Sequence, residues 1–536
     1  MNPDPQASRW PRQIKYIIGN EVCERFSYYG MTSILTGYIS GHLLAGGLGK
    51  SDDYATTVIQ LFITVNYFTP LLGAWLSDKL IGRYKTIFWV SLFYCAGHGT
   101  LACSDFFGPQ GKLACLFTGL TLIAFGSGGI KPCVSAFMGE QFRPDQSHLM
   151  QKAYGAFYMA INFGSFFSFL VVPWVKDHHG YSPAFAVPGI LMAIATYIFW
   201  RGKKLYVIVP TNRELKHAGF FKVFFTALFA KREAGQDFWA AARARFTANE
   251  VAAARSVLPI LFVFLTIPMF WALYNQTNST WVMQGFKMVN FQFEQLQPIK
   301  LLLPYWTYIC SFSGYFALLI LTFLIAPKII SNIWRILLVI GLMLLSCALG
   351  WMMFYLPVFV IGAEQMQSLN PVLIMVFIPI FTLWIYPRLG RFAAPLKRMS
   401  YGLFLAALAF VLIALLEKRL EAGAQLSILW QTWPYVVVTA AEVLVSATGL
   451  EFAFREAAPE MKSMIMSFWL LTIAAGSLLV ALITAFLPHT AAHNDDASIS
   501  SGRFMLYAGM MFGVAIVFSL IAATYHYRDQ SAAEGK

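Results

Sequence analysis

The sequence predicts an all-α polytopic membrane protein, on three observations. Hydrophobic residues fill 58% of the 536 positions and charged residues only 12%, about half the charged share of a soluble domain. Apolar stretches of about 20 residues recur along the chain, the length an α-helix needs to cross the hydrocarbon layer, and the short alternating pieces of a membrane barrel do not. The net charge of +13 is also unevenly placed. Lys79, Arg83 and Lys85 follow the second stretch. Arg201, Lys203, Lys204, Arg213, Lys216, Lys222, Lys231 and Arg232 follow the sixth, and Arg388, Arg391, Lys397 and Arg398 follow the eighth of the main series. These are alternate loops, so the positive-inside rule puts them and both termini in the cytoplasm. The basic balance is a topology signal with some contact to anionic membrane lipids, and no nucleic-acid partner is expected. The expected location is the plasma (bacterial inner) membrane, and the expected state a monomer.

The opening MNPDPQASRWPRQIKY lacks an apolar core ending in a small-residue cleavage site, so the first span is expected to double as the insertion signal. That span, roughly Ile14 to Ile39, carries Glu21, Glu24 and Arg25. Each charge at mid-membrane costs about 2.5 to 3.5 kcal/mol, so the group demands partners or a watery cavity. On a helix, Glu21, Glu24, Arg25, Tyr28 and Thr32 share one stripe that should face the bundle interior, while Val22, Phe26 and Met31 point elsewhere. A purely structural ion pair would not need the third ionisable group.

The second span, Ala55 to Leu76, runs into GAWLSDKLIGRYKTI, where Asp78 and Arg83 are expected to latch neighbouring helices. Thr86 to Cys103 is the third. The fourth, Leu113 to Phe137, holds Lys131 after glycines that permit close helix approach. Ala153 to Val175 and Phe185 to Leu205 follow. Val207 to Glu250 is too polar to span, and its piece DFWAAARARFTANEVAAAR reads as an amphipathic helix on the cytoplasmic surface. Then come Val251 to Met283, Leu301 to Ala326, Ile333 to Ile361, Pro371 to Tyr386, Tyr401 to Leu416, Tyr435 to Leu450, Met464 to Leu487 and Phe504 to Tyr525. About fourteen spans result. The expected organisation is a six-helix bundle over 1–205, a linker over 206–250 and a second six-helix bundle over 251–536, with an extra hairpin at about 301–361. Lys328 and Arg335 in that hairpin's turn keep it in register with the charge rule.

Lys131 and Glu442 are intramembrane ionisable groups in opposite halves, so a contact between them would couple the halves electrostatically. A protonatable acid that binds and releases a basic partner is the working part of a proton-driven carrier. Seven cysteines without CxxC spacing indicate neither a disulfide framework nor a zinc site. There is no HExxH for an intramembrane hydrolase, and the adjacent His178 and His179 read as solvated loop residues.

Several motifs together resemble the proton-dependent oligopeptide transporter family of the major facilitator superfamily. They are Glu21-x-x-Glu24-Arg25-Phe26-x-Tyr28-Tyr29-Gly30, Gly128-Gly129-Ile130-Lys131-Pro132, FYMAINFGS with Asn162, PMFWALYNQ, and TGLEF with the APEMKS and WLLT segments after it. The resemblance implies two six-helix bundles around a midplane cavity, no cofactor, and uptake of di- and tripeptides driven by the proton gradient. It also implies a proton-coupling set of Glu21, Glu24, Arg25, Lys131 and Glu442, with Lys131 able to reach the peptide carboxylate. Glu442 and Asn370 would receive the peptide ammonium group, with Ser446 beside them, and Asn162 would bond the peptide backbone. Tyr28, Tyr29, Tyr67, Trp271 and Trp469 would form the aromatic walls.

The sequence departs from the family where many members carry an arginine, at Thr32, and where they carry an acid, at Asn275. The two neutral residues can still hydrogen-bond, and the loss moves proton coupling onto Glu21 and Glu24. Gln60 stands where animal members have a histidine. By alternating access, each proton would contribute about 2.3 kcal/mol per 100 mV, roughly fifty-fold accumulation. Rival readings are a carrier of nitrate or of an amino-acid-like solute, and a non-transporting peptide receptor. The Glu442 and Asn370 pair favours a substrate with an ammonium group over nitrate.

Overall fold

The computed structural model describes residues 10–41, 43–143, 146–209, 220–230, 237–292, 360–458, 461–486, 499–525 and 527. Six long helices come first. They are α1 (Ile14–Ser40), α2 (Asp52–Trp75), α3 (Arg83–Ala102), α4 (Pro109–Gly139), α5 (Ser147–His179) and α6 (Tyr181–Arg201). The Ser51 side chain accepts from the Tyr54 amide and caps α2, with Asp52 and Asp53 in the first turn favouring the same end. α2 runs on through a π-helical turn, Leu76–Ile81, to Gly82. His178 and His179 prove to be the last turn of α5, not a loop, because the helix continues until Gly180 adopts a positive φ.

The helical piece of the linker lies earlier than expected. α7 is Phe220–Phe229, whereas DFWAAARARFTANEVAAAR is divided between a single turn, α8 (Ala240–Arg243), and the start of α9 (Ala248–Phe264). Thr247 breaks it: its hydroxyl accepts from the Glu250 amide while the Glu250 side chain answers the Thr247 amide, a capping box that starts a new helix. The seventh span is itself broken. α9 and the stretch Ile267–Phe286 meet at 44° just before Pro268, and that stretch comprises α10 (Ile267–Tyr274), a 3₁₀ turn Asn275–Asn278 and α11 (Thr280–Phe286).

A two-residue ladder follows, with β1 (Phe291–Gln292) antiparallel to β2 (Val360–Ile361). The chain therefore leaves after Gln292 and returns at Val360 in the same place. The expected hairpin at about 301–361 otherwise lies outside the described residues; its last two positions are strand, not span. The remaining helices are α12 (Leu369–Ile380), α13 (Tyr386–Leu389), α14 (Pro395–Glu421), α15 (Thr432–Glu442), α16 (Thr448–Glu456), α17 (Lys462–Phe486) and α18 (Ser501–Thr524). π turns at Phe381–Ile385 and Val443–Ala447 join α12 to α13 and α15 to α16.

Among the described residues, nine helical stretches are long and apolar enough to cross a membrane and the bent seventh makes a tenth. α1 and α3, of 27 and 20 residues, are more polar and run among them, giving twelve. α1 lies against α5, α6, α2 and α4, and α3 against α4 and α6; in the second set α10 packs on α17, and α14 on α15 and α18. The sets meet along two seams, α2 with α17 and α5 with α12. α1 is deeper than its stripe implied: every residue from Gly30 to Ile39 is buried, Met31 included, because neighbours close around it.

Close approach of α2 and α4 depends on Gly128. A Cβ there would fall 1.7 Å from Thr69 Oγ1, which donates to the Ala124 carbonyl at 2.9 Å. Gly128→Ala should therefore destabilise the fold by about 1 to 3 kcal/mol or more, as overpacking does. The check is the thermal midpoint of detergent-purified protein, which should fall and should recover in part when Thr69→Ala is added. An unchanged midpoint would mean the helices are not in contact there.

Candidate functional site

The two helix sets enclose a cavity of about 200 Å³. Tyr28, Tyr29 and Thr32 from α1, Ile63 and Tyr67 from α2, and Tyr158, Asn162 and Ser165 from α5 form one wall. Tyr274, Asn275, Thr277 and Asn278 at the broken seventh span, Gln367 and Asn370 before and in α12, and Tyr435, Glu442 and Ser446 form the other. Glu442 sits at the end of α15, directly before the π turn that carries Ser446. Such turns replace the ordinary helical bond pattern and are frequent at functional positions.

The acidic corner is well ordered by hydrogen bonds. Asn370 Nδ2 donates to Glu442 Oε2 at 2.7 Å and to Thr439 Oγ1 at 3.2 Å. The Tyr274 hydroxyl donates to Asn370 Oδ1 at 3.3 Å, which fixes the amide's orientation. A carboxylate beside an amide oxygen and a tyrosine suits a small ammonium ion.

The α1 cluster lies behind this wall. Arg25 Nε is 2.5 Å from Glu24 Oε2 and 3.1 Å from Glu21 Oε1, with all three side chains at most 9% exposed. Lys131 Nζ lies 4.3 Å from the ring centroids of both Tyr28 and Tyr67, a cation held on two π faces. Among the described residues its Nζ has no hydrogen-bond partner.

One end of the cavity is closed, on the face where α1 ends. Lys176 Nζ on α5 pairs with Glu364 Oε2 at 2.6 Å, and Gln365 Nε2 reaches Asp177 at 3.4 Å. Thr36 Oγ1 donates to the Asn278 carbonyl at 2.6 Å, and Gln60 Nε2 to the Asn275 carbonyl at 3.2 Å and to Ser279 Oγ at 3.1 Å. Toward the basic face the described side chains are less covered. Tyr158, which lines the cavity, is 44% exposed, whereas Asn162 one turn deeper is 4% exposed. The turn Phe381–Ile385 and α13, on the same side, bury no residue.

The sequence matches the POT family model over residues 84–355 and 352–498. The chain belongs to the POT family. It is a family of transporters and not of enzymes. The POT-family chain is 32% identical over 436 residues to "Solute carrier family 15 member 2" of Rattus norvegicus, covering 77% of this chain and 50% of that protein. It is 33% identical over 435 residues to "Peptide transporter family 1" of Drosophila melanogaster, covering 77% of this chain and 49% of that one. It thus spans about half the length of the curated relatives it matches. Among solved structures, an auto-inhibited POT family peptide transporter superposes with a TM-score of 0.76 at 33% identity, covering 96% of this chain and 98% of the other. The POT family transporter PepTSo gives 0.77 at 33% identity, covering 96% and 99%. The architecture is the major facilitator superfamily fold of a multi-pass membrane protein.

Against that fold, three expectations for this POT-family chain need correction. Lys131 and Glu442 are not in ionic contact: Lys131 is held on the tyrosine rings and Glu442 on Asn370. Thr32 and Asn275 do not bond each other, since the Thr32 hydroxyl donates to the Tyr28 and Tyr29 carbonyls of its own helix and Asn275 Nδ2 to Ser477 Oγ at 2.7 Å. Trp271 and Trp469 are not cavity walls; 5% and 2% exposed, they pack edge to face at 6.3 Å in the α10–α17 contact, where the small Gly476 lets Trp271 approach.

Arg83 on α3 bridges the ends of three helices. It pairs with Asp78 at 3.2 Å and, more closely, with Glu140 at the end of α4. Glu140 was missed because it stands outside the fourth apolar run. Tyr158 was missed although it sits four residues before Asn162, the spacing that shares a helix face. Glu364 and Gln367 lie between two apolar runs, where span length gives no signal.

Proposed function

We propose that this chain is a proton-coupled symporter that imports di- and tripeptides by alternating access. The observation that carries the reading is the cavity between the helix sets, where Glu442 and Asn370 face a wall of tyrosines and Asn162. Backbone and ammonium groups common to short peptides meet fixed polar atoms, and varied side chains meet apolar and aromatic surface. The two sets, 1–205 and 251–536, act as rocking bundles joined by the linker 206–250. The basic face is cytoplasmic, both termini lie there, and the membrane is the plasma membrane, bacterial inner membrane in type. The conformation described is then closed outside and open inside, and the carrier works as a monomer.

Coupling runs through α1. Protonation of Glu24 frees Arg25 from one of its two carboxylates, and the guanidinium competes with Lys131 for the Tyr28 ring that borders the substrate. Displacing that ring changes the cavity wall, so the protonation state of a buried cluster reaches the substrate without a direct contact. Deprotonation toward the cytoplasm restores the Arg25 pairs and resets the carrier.

Uptake of labelled dialanine into proteoliposomes under an inside-negative potential tests the reading, with tripeptides, free amino acids and nitrate as competitors. Accumulation abolished by a protonophore and blocked by di- and tripeptides is expected. Competition by nitrate alone, or binding without accumulation, would reject it.

The outer closure makes a separate prediction. Lys176 and Glu364 are 16% and 2% exposed by side chain, and since Lys176 keeps the exposed Asp177 at 3.0 Å, removing Glu364 costs less than the roughly 3 to 5 kcal/mol of an orphaned buried charge. Glu364→Gln should therefore favour the outward-open form. A cysteine replacing Ser33, which is buried at that end, should react with an impermeant maleimide at least tenfold faster in this background. Reversing the pair as K176E/E364K should restore slow labelling; equal rates throughout would exclude a gating role.

A further inference from the structure

We propose that protons reach Glu24 through the interior of the first helix set, relayed by His98 on α3, and not by way of the substrate cavity. This rests on the proton-coupled reading above and adds to it the route by which the proton arrives. His98 is fully buried and stacks on Tyr94, one turn earlier on the same helix, with ring centroids 5.1 Å apart. Among the described residues neither of its ring nitrogens has a hydrogen-bond partner. Neither His98 nor Tyr94 lines the cavity.

A histidine that only filled this space would be a costly choice. Buried polar atoms without a partner are destabilising, and an apolar ring would stack on Tyr94 equally well. α6 makes room for the imidazole with Gly189, where a Cβ would fall 3.1 Å from His98 Cβ. Few groups face it. Cys95, a turn earlier on α3, is directed at Thr196 of α6 at 3.7 Å, and α4 approaches with Ile123 beside Gly97. Beyond the end of α3, Asp105 and Lys112 are paired with each other at 2.7 Å. Among the described residues no charged side chain stands against His98 itself.

Similar atoms lie on either side of it. Inward, Tyr94 stands among Glu24, Arg25 and Ser127, and among the described residues the Tyr94 hydroxyl and Ser127 Oγ are both buried without a partner. Gly126 brings α4 to that point, since a Cβ there would fall 2.6 Å from Tyr94 Cβ. Outward, His98 is four residues, about 6 Å of helix, from Ala102 at the end of α3. Ser104 in the next turn is again buried with its Oγ unpaired. Internal water is what satisfies such groups. An imidazole between waters passes a proton without keeping an extra one: it accepts at one ring nitrogen, releases the proton of the other, and then exchanges tautomer. The released proton continues by way of the Tyr94 hydroxyl to the Glu24 carboxylate, the kind of relay that buried acids and histidines make inside membranes.

Time-resolved infrared difference spectroscopy of the purified full-length chain after a downward pH jump tests the route. It follows the carboxyl band of protonated Glu24, assigned by its absence in Glu24→Gln. His98→Phe keeps the stacking surface but carries no proton, and His98→Gln keeps hydrogen bonding but cannot take one proton while releasing another. In both variants the band should rise at least tenfold more slowly than in the parent; less than tenfold slowing in either would overturn the proposal. In proteoliposomes the same variants should lose at least tenfold of the dialanine accumulation driven by a pH gradient, while exchange of labelled for unlabelled dialanine stays within twofold. Exchange lost along with accumulation would make His98 a structural residue and overturn the proposal as well. If dialanine were not transported at all, the preceding reading would fail, and the infrared rates would still decide this one.

Discussion

Replacing Glu442 by Gln should weaken dialanine binding about thirtyfold or more while leaving the protein folded. The carboxylate is the only acidic group lining the cavity among the described residues, and truncating a partner of a desolvated, hydrogen-bonded charge pair costs about 2 to 5 kcal/mol, each 1.4 kcal/mol being about tenfold. Gln keeps the volume and an oxygen for the bond that Asn370 Nδ2 makes at 2.7 Å, so the α12–α15 contact should survive. Calorimetry on purified protein gives the measurement, with N-acetyl-dialanine as the control. That compound has no ammonium group, and its weak binding should be unchanged. Equal losses for both would move Glu442 from recognition to architecture.

Glu24→Gln should abolish accumulation against a gradient while sparing exchange of labelled for unlabelled dialanine across the membrane. Glu24 is fully buried and holds Arg25 at 2.5 Å. A neutral Gln mimics the protonated acid permanently, so the carrier can shuttle loaded substrate but cannot use a proton to reset. The two assays use the same vesicles and separate driving from carrying. Loss of exchange as well as accumulation would show that the residue maintains the fold or the cavity and not the coupling.

Much of the architecture was legible because the membrane restricts the choices. Apolar length and the placement of lysine and arginine identified each described span, and the charged stripe of α1 marked the helix that must face inward. Motifs carried Tyr29, Asn162, Asn370, Glu442 and Ser446, and all five line the cavity. What could not be read was side-chain direction across the bundle. Lys131 and the two tryptophans occupy familiar sequence positions, yet which rings cover the lysine and which helix faces the indoles depend on helix rotations that pattern does not encode. Breaks were equally hidden. The bend before Pro268 and the capping box at Thr247 had local signals, but the 3₁₀ turn at Asn275 has none, and it supplies three cavity residues. The Lys176–Glu364 pair unites residues 188 positions apart, a distance at which only tertiary structure decides who meets whom.

The enclosure of α1 bears on how the protein is made. Its Glu21, Glu24 and Arg25 are paired with one another within the helix and hidden by α5 and α6, yet ribosomal synthesis delivers α1 before either of those helices exists. During that interval the segment presents to lipid or to the insertion machinery a stripe that the finished protein never exposes. Its retention must rely on the Arg25 pairs formed locally, with Glu21 four residues back along the helix and with the adjacent Glu24. A variant lacking Arg25 would meet its difficulty first in biogenesis, as a poorly inserted nascent chain, before any transport cycle could begin.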